Sequence, residues 1–102
     1  MSRQDAHVWL LAYDIASPKR WQRIHRIARS RFHRVNYSVF IGQAPNREME
    51  NLAAELALLI DDRTDDVRFY ALPRNARTWT GGRGRPLVCS PAEKLLADLD
   101  RF

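Results

Sequence analysis

The 102-residue chain is short of several things, and each shortage excludes a class of function. Cys89 is its only cysteine, so neither an intrachain disulfide nor a thiolate metal centre can form. No apolar run reaches the length of a membrane span, residues 2–7 are too polar to open a signal peptide, and no amphipathic anchor or lipidation signal is present. A soluble, cytoplasmic protein with no membrane partner is the expectation. Glycine is scarce. Where it clusters, in Gly81-Gly82-Arg83-Gly84, no Gly-Lys-Ser/Thr follows and no helix opens, so the segment is not a P-loop. The acidic stretch 61–66 lacks the spacing and glycine of a calcium loop and reads as a solvated turn. His7, His25 and His33 are too scattered for a metal cluster and read as surface or strand-end residues. Finally, no carboxylate occurs between Asp14 and Glu48.

What is present is arginine. Lysine and arginine number 17 against 12 acids, a net charge of +5 and a sequence pI near 10.1, which favours an anionic partner and nucleic acid above all. Hydrophobic residues make up 45%, enough for one domain with a modest core, which pairing with a second copy would help to complete. Val8 to Asp14 is apolar or aromatic at six of seven positions, as in a strand buried on both faces, and it ends in the carboxylate of Asp14. Ser17-Pro18 then supplies an N-cap and a first helical residue. Residues 18–31 place Trp21, Ile24, Ile27 and Ala28 at helical spacing, with Lys19, Arg20, Arg23, Arg26 and Arg29 at the other positions. A structural helix would normally intersperse acids as i,i+4 partners, so this one-sided charge points towards phosphate.

Residues 34–42 read as a strand with Val35, Tyr37, Val39 and Ile41 on one face and Asn36, Ser38 and Phe40 on the other. A turn at 42–46 with Asn46 as N-cap leads to a helix over 47–60 that buries Met49, Leu52, Ala53, Leu56 and Leu59 or Ile60. Residues 66–72 alternate as a strand with Val67, Phe69 and Ala71 inward. Residues 74–91 read as a mobile basic loop carrying Arg83 and Arg85 beside Trp79, suited to backbone contact and base stacking, with 86–89 a short strand. Ser90-Pro91-Ala92-Glu93 is a capping box for a helix over 91–100 with Leu95, Leu96 and Leu99 on one side. Alternating polarity argues for an antiparallel sheet with one covered face, provided that a tight bend within 34–44 or a very short strand reverses the chain. The fold class is therefore α+β: a ferredoxin-like sandwich with two helices on one sheet face, plus a C-terminal strand and short helix.

Tyr13-Asp14-Ile15, Ser17-Pro18-Lys19-Arg20-Trp21, residues 34–40 and Asp66-Val67-Arg68-Phe69-Tyr70 together resemble the CRISPR-associated protein 2 family, over residues 7–72 and in the family's order. The resemblance implies a single ferredoxin-like domain over 1–102 (core 7–72, C-terminal extension 73–102). It implies a homodimer that acts on RNA or double-stranded DNA as a metal-dependent endonuclease and partners the CRISPR spacer integrase. Asp14 matches the catalytic and metal-binding aspartate, preceded by Tyr13. The supporting basic residue of the first helix corresponds to Arg20 or Arg23, and Arg34, Ser38 and Phe40 match the second-strand motif. Arg26, Arg83 and Arg85 complete the expected nucleic-acid-binding set with Arg20, Arg23 and Arg34. His33 stands where glycine is common, Asn36 replaces a frequent Gln, and Ile41 replaces a frequent acid. One carboxylate per chain is a poor Mg²⁺ site, so the expected cofactor is one Mg²⁺ shared by Asp14 of two subunits related by a two-fold axis. Two other functions remain open: a non-catalytic adaptor holding DNA for the integrase, and a toxin-like ribonuclease of related fold.

Overall fold

The strand β1 (Ala6–Asp14) is the centre of the computed structural model, which describes residues 6–99, with side chains to residue 97. It pairs antiparallel with β3 (Val39–Pro45) on one side and β4 (Asp66–Leu72) on the other. The edge strand β2 (His33–Asn36) adds to β3, giving the order β2-β3-β1-β4. The register sets Leu11 opposite both Phe40 and Phe69. Those side chains share the face on which α1 (Pro18–Arg31) and α2 (Asn46–Ala57) pack, through Ile24 and Ala28 of α1 and Met49, Leu52 and Leu56 of α2. This is the expected ferredoxin-like sandwich.

The reversal expected within 34–44 is a tight turn at Tyr37-Ser38, so the single strand over 34–42 is corrected to the hairpin β2–β3. Its register shifts between Arg34 and Asn36, a bulge that re-aims the side chains of β2. Phe40 (0% exposed) and Ile41 (1%) are both buried although they face opposite ways, so the expectation of one covered face fails at the sheet centre. The cover on the second face is α3 (Ala92–Leu99), whose Ala92 and Leu96 cluster with Val8 and Ile41. Gly42 admits the ring of Phe32; an added Cβ would lie 1.9 Å from its Cδ1.

The helix boundaries also move. Ser17 caps α1 as expected, its Oγ accepting from the Arg20 N–H. The turn expected at 42–46 is strand as far as Pro45, which occupies the N-cap position, and Asn46 is the first helical residue. α2 ends at Ala57, and Ala53 and Ala71, expected inward, are exposed. The expected loop over 74–91 is a second antiparallel hairpin, β5 (Arg77–Gly82) with β6 (Arg85–Pro91), rather than a loop and one short strand. Gly82 (φ 104°) and Gly84 (φ 86°) take the left-handed backbone that its tip needs, with Arg83 (φ 53°) between them. α3 begins at Ala92, because Pro91 still pairs with Arg77; the side chain of Leu99 lies outside the described residues.

Candidate active site and nucleic-acid interface

Side chains alternate along β1, so burying Tyr13 under the helices puts Asp14 on the opposite face, at the exposed end of the strand. Asp14 opens onto a cleft of about 380 Å³ whose walls include Ala16, Pro18, Trp21, Tyr37 and Ser38. The wall is fixed by a hydrogen bond from the Tyr13 N–H to the Ser38 carbonyl, 3.1 Å, which ties the end of β1 to the β2–β3 turn.

Behind this wall is a row of rings. Tyr37 stacks on Trp21 (centroids 5.7 Å apart) and Trp21 on His25 (4.4 Å). His25 meets the edge of Phe40, and its Nδ1 shares a 2.7 Å hydrogen bond with the Tyr13 hydroxyl. Burial is the main cause pushing the Tyr13 phenol up to about 12. Burial, then the positive charges of Arg34 and Arg29, hold His25 below its ordinary value. His25 is therefore a half-buried partner of Tyr13 rather than the surface residue expected. Trp21 and His25 at i,i+4 was the available signal for this contact.

The acids near the end of β1 are sorted by arginine. Asp65, its side chain wholly buried, accepts from Arg20 Nε at 2.8 Å and Arg20 Nη2 at 3.2 Å, and also from the backbone N–H groups of Ala16 and Asp61. The Arg20 bonds are the main cause holding the Asp65 carboxyl well below the usual carboxylate range. Asp61 binds Arg63 and Asp66 binds Arg68, and each of these carboxyls is lowered for the same reason. Among the described residues Asp14 has no such partner. Sequence reasoning missed Asp65, treating 61–66 as solvated; its place beside an acid-free basic helix was the only hint.

The arginines divide into three groups. Arg20 is held by Asp65, and Arg23 and Arg26 stand exposed on α1 without lining the Asp14 cleft. Arg34, Arg83 and Arg85 meet around a second cleft, where β2 approaches the tip of the β5–β6 hairpin. Ser38 lines the Asp14 cleft, whereas Phe40 is core. No cluster of three or more His, Cys, Asp or Glu side chains able to hold a metal exists among the described residues. Mg²⁺ keeps several waters and is bound through one or two carboxylates together with substrate phosphates, and Asp14 is the one carboxylate that this cleft could offer to such an ion.

A family model described as CRISPR associated protein Cas2 matches residues 7–78. The CRISPR-associated endoribonuclease Cas2 1 of Nitrosomonas europaea is 34% identical over 86% of this chain and 82% of its own length. The CRISPR-associated endoribonuclease Cas2 2 of Thermodesulfovibrio yellowstonii is 37% identical over 67% of this chain and 75% of its own. The crystal structure of Streptococcus pyogenes Cas2 superposes with a TM-score of 0.61 at 30% identity, covering 67% of this chain and 88% of that one. A hypothetical protein of Thermus thermophilus, TT1823, superposes at 0.70 with 25% identity, covering 81% and 99%.

Proposed function

This chain belongs to the Cas2 family of CRISPR-associated proteins, and from that premise we propose that it is an endonuclease hydrolysing phosphodiester bonds in CRISPR adaptation, with Asp14 as its catalytic residue. The supporting observation is the sorting of acids: Asp61, Asp65 and Asp66 are each paired with an arginine, and of the two with described side chains that are not, Asp14 and Asp62, only Asp14 lines the cleft. RNA is the first substrate to test, because the similar proteins are named endoribonucleases, and double-stranded DNA is the second.

The proposed working unit is a homodimer in which Asp14 of each chain would hold the Mg²⁺. When bound, the ion supplies charge neutralisation at the scissile phosphate and a water activated for attack. The chain's own residues shape the cleft: Tyr13 and Ser38 fix the end of β1, and Asp65 with Arg20 fixes the following turn. Arg34 supplies charge beside Tyr37 at the cleft rim. A second reading, an adaptor holding duplex DNA for a spacer integrase, is favoured by Arg23 and Arg26, which are exposed on α1 and do not line the Asp14 cleft.

The test is Asp14→Asn, assayed on labelled RNA and duplex DNA with Mg²⁺ or with EDTA. The expected result is a loss of cleavage of at least about 10²-fold with nucleic-acid binding retained. Undiminished cleavage by purified Asp14→Asn protein removes Asp14 from the mechanism; absence of cleavage by the unaltered protein leaves the adaptor reading.

A further inference from the structure

The second cleft, about 460 Å³, lies between β2 and the tip of the β5–β6 hairpin, and its wall contains Arg34, Arg83, Arg85, Asn36 and Tyr37 but no Asp or Glu. The tip residues lie beyond residues 7–78, the stretch that the family model matches, whereas Arg34, Asn36 and Tyr37 lie within it. Three guanidinium groups around one cavity repel one another, and among the described residues none has a carboxylate partner. Arg34 is held in place: its Nε donates to the Asn36 carbonyl (3.3 Å) and its guanidinium stands 5.5 Å from the centre of the Tyr37 ring. That leaves its two terminal amino groups for a bidentate oxyanion. Tyr37 also lines the Asp14 cleft, so one residue forms the rim of both.

The geometry points to a strand-anchoring subsite in which Arg34, Arg83 and Arg85 grip the sugar-phosphate backbone of the same polynucleotide strand that passes Tyr37 to Asp14. It rests on the nuclease reading and names what that reading leaves open: which part of the chain holds the strand beside the scissile bond. The hairpin tip is the clamp, with flanking glycines that leave Arg83 and Arg85 as the side chains presented there.

The experiment measures binding of a single-stranded RNA oligonucleotide in excess EDTA across a salt series, for the full chain and for Arg83→Asn/Arg85→Gln. Asn at 83 tolerates the left-handed backbone, and a melting curve confirms the fold. Each lost phosphate contact on a single strand removes about 0.7 from the slope of log K against log salt, so the double variant is expected to lose about 1.4. Arg83→Lys/Arg85→Lys is expected to keep the slope, and Arg47→Gln, outside the cleft, to leave it unchanged. A double variant with the slope of the unaltered protein overturns the proposal, as does tripolyphosphate competing as well as the oligonucleotide, which would mark a site for free polyphosphate. The slope does not depend on Asp14. Failure of Asp14→Asn to stop cleavage therefore overturns the nuclease assignment alone, and an unchanged slope overturns the clamp alone.

Discussion

At the scale of single residues, the buried carboxylate of Asp65 links the turn after Asp14, the first turn of α1 and the α2–β4 loop. A charge buried in this way is stabilising while its partners are present and costly once they are gone. Because its folded-state value lies below the unfolded 3.8, Asp65 contributes stability above about pH 4 that is lost as the pH falls through the folded value. Asp65→Asn is therefore expected to lower the melting temperature at pH 7 and to flatten its fall in acid; equal acid sensitivity in variant and parent would contradict this. Tyr13 acts at the opposite end of the scale. Its phenol is raised to about 12 against an ordinary 10, so its contribution is complete below pH 10 and disappears as the pH rises through 12. Tyr13→Phe removes the bond to His25 and is expected to cost about 1 kcal/mol, together with the part of the stability loss that begins above pH 10. Denaturant melts at pH 7 and pH 11 check both points.

Among the elements, the β2–β3 hairpin carries the most consequence, since its turn brings Tyr37 and Ser38 to Asp14 while its bulge turns Arg34 towards the second cleft. Its position against α1 depends on Phe32 lying over Gly42. Gly42→Ala forces that ring out of a filled core and is expected to destabilise by about 1–3 kcal/mol, measured by chemical denaturation. Phe32→Leu in the same protein is expected to relieve part of that cost. The tandem of Pro18 inside α1 and Ser17 before it was legible in sequence because capping is local chemistry. The hairpin β5–β6 was not. Its strands are exposed at most positions and carry glycine and arginine instead of a buried alternating face, so periodicity had nothing to report.

At the scale of the whole molecule, the described residues of α3 pack on the second sheet face around Val8, Leu10, Ile41 and Leu72. Asp14 lies at the other end of that face, and the hairpin exposes Trp79 (65%), Leu87 (67%) and Val88 (53%). A symmetric dimer that covers such surface and apposes the two Asp14 carboxylates predicts one tightly bound Mn²⁺ per two chains, lost in Asp14→Asn. Equilibrium dialysis with sedimentation analysis checks it; a monomer, or one ion per chain, contradicts it. Among the described residues no helix is long and apolar enough to cross a membrane.

The amino-acid sequence by itself determined β1, the capped α1, the antiparallel sandwich and the identity of Asp14 as an acid at a strand end. Each of these follows from side-chain period or from chemistry within a few residues. Only the tertiary structure decided that Arg20 belongs to Asp65, that His25 is held by Tyr13, and that Arg34 stands beside Arg83 and Arg85. These partners are 12 to 51 positions apart. Which charge meets which depends on strand order, on the turn at Tyr37-Ser38 and on where the last hairpin folds back, and no local pattern encodes those distances.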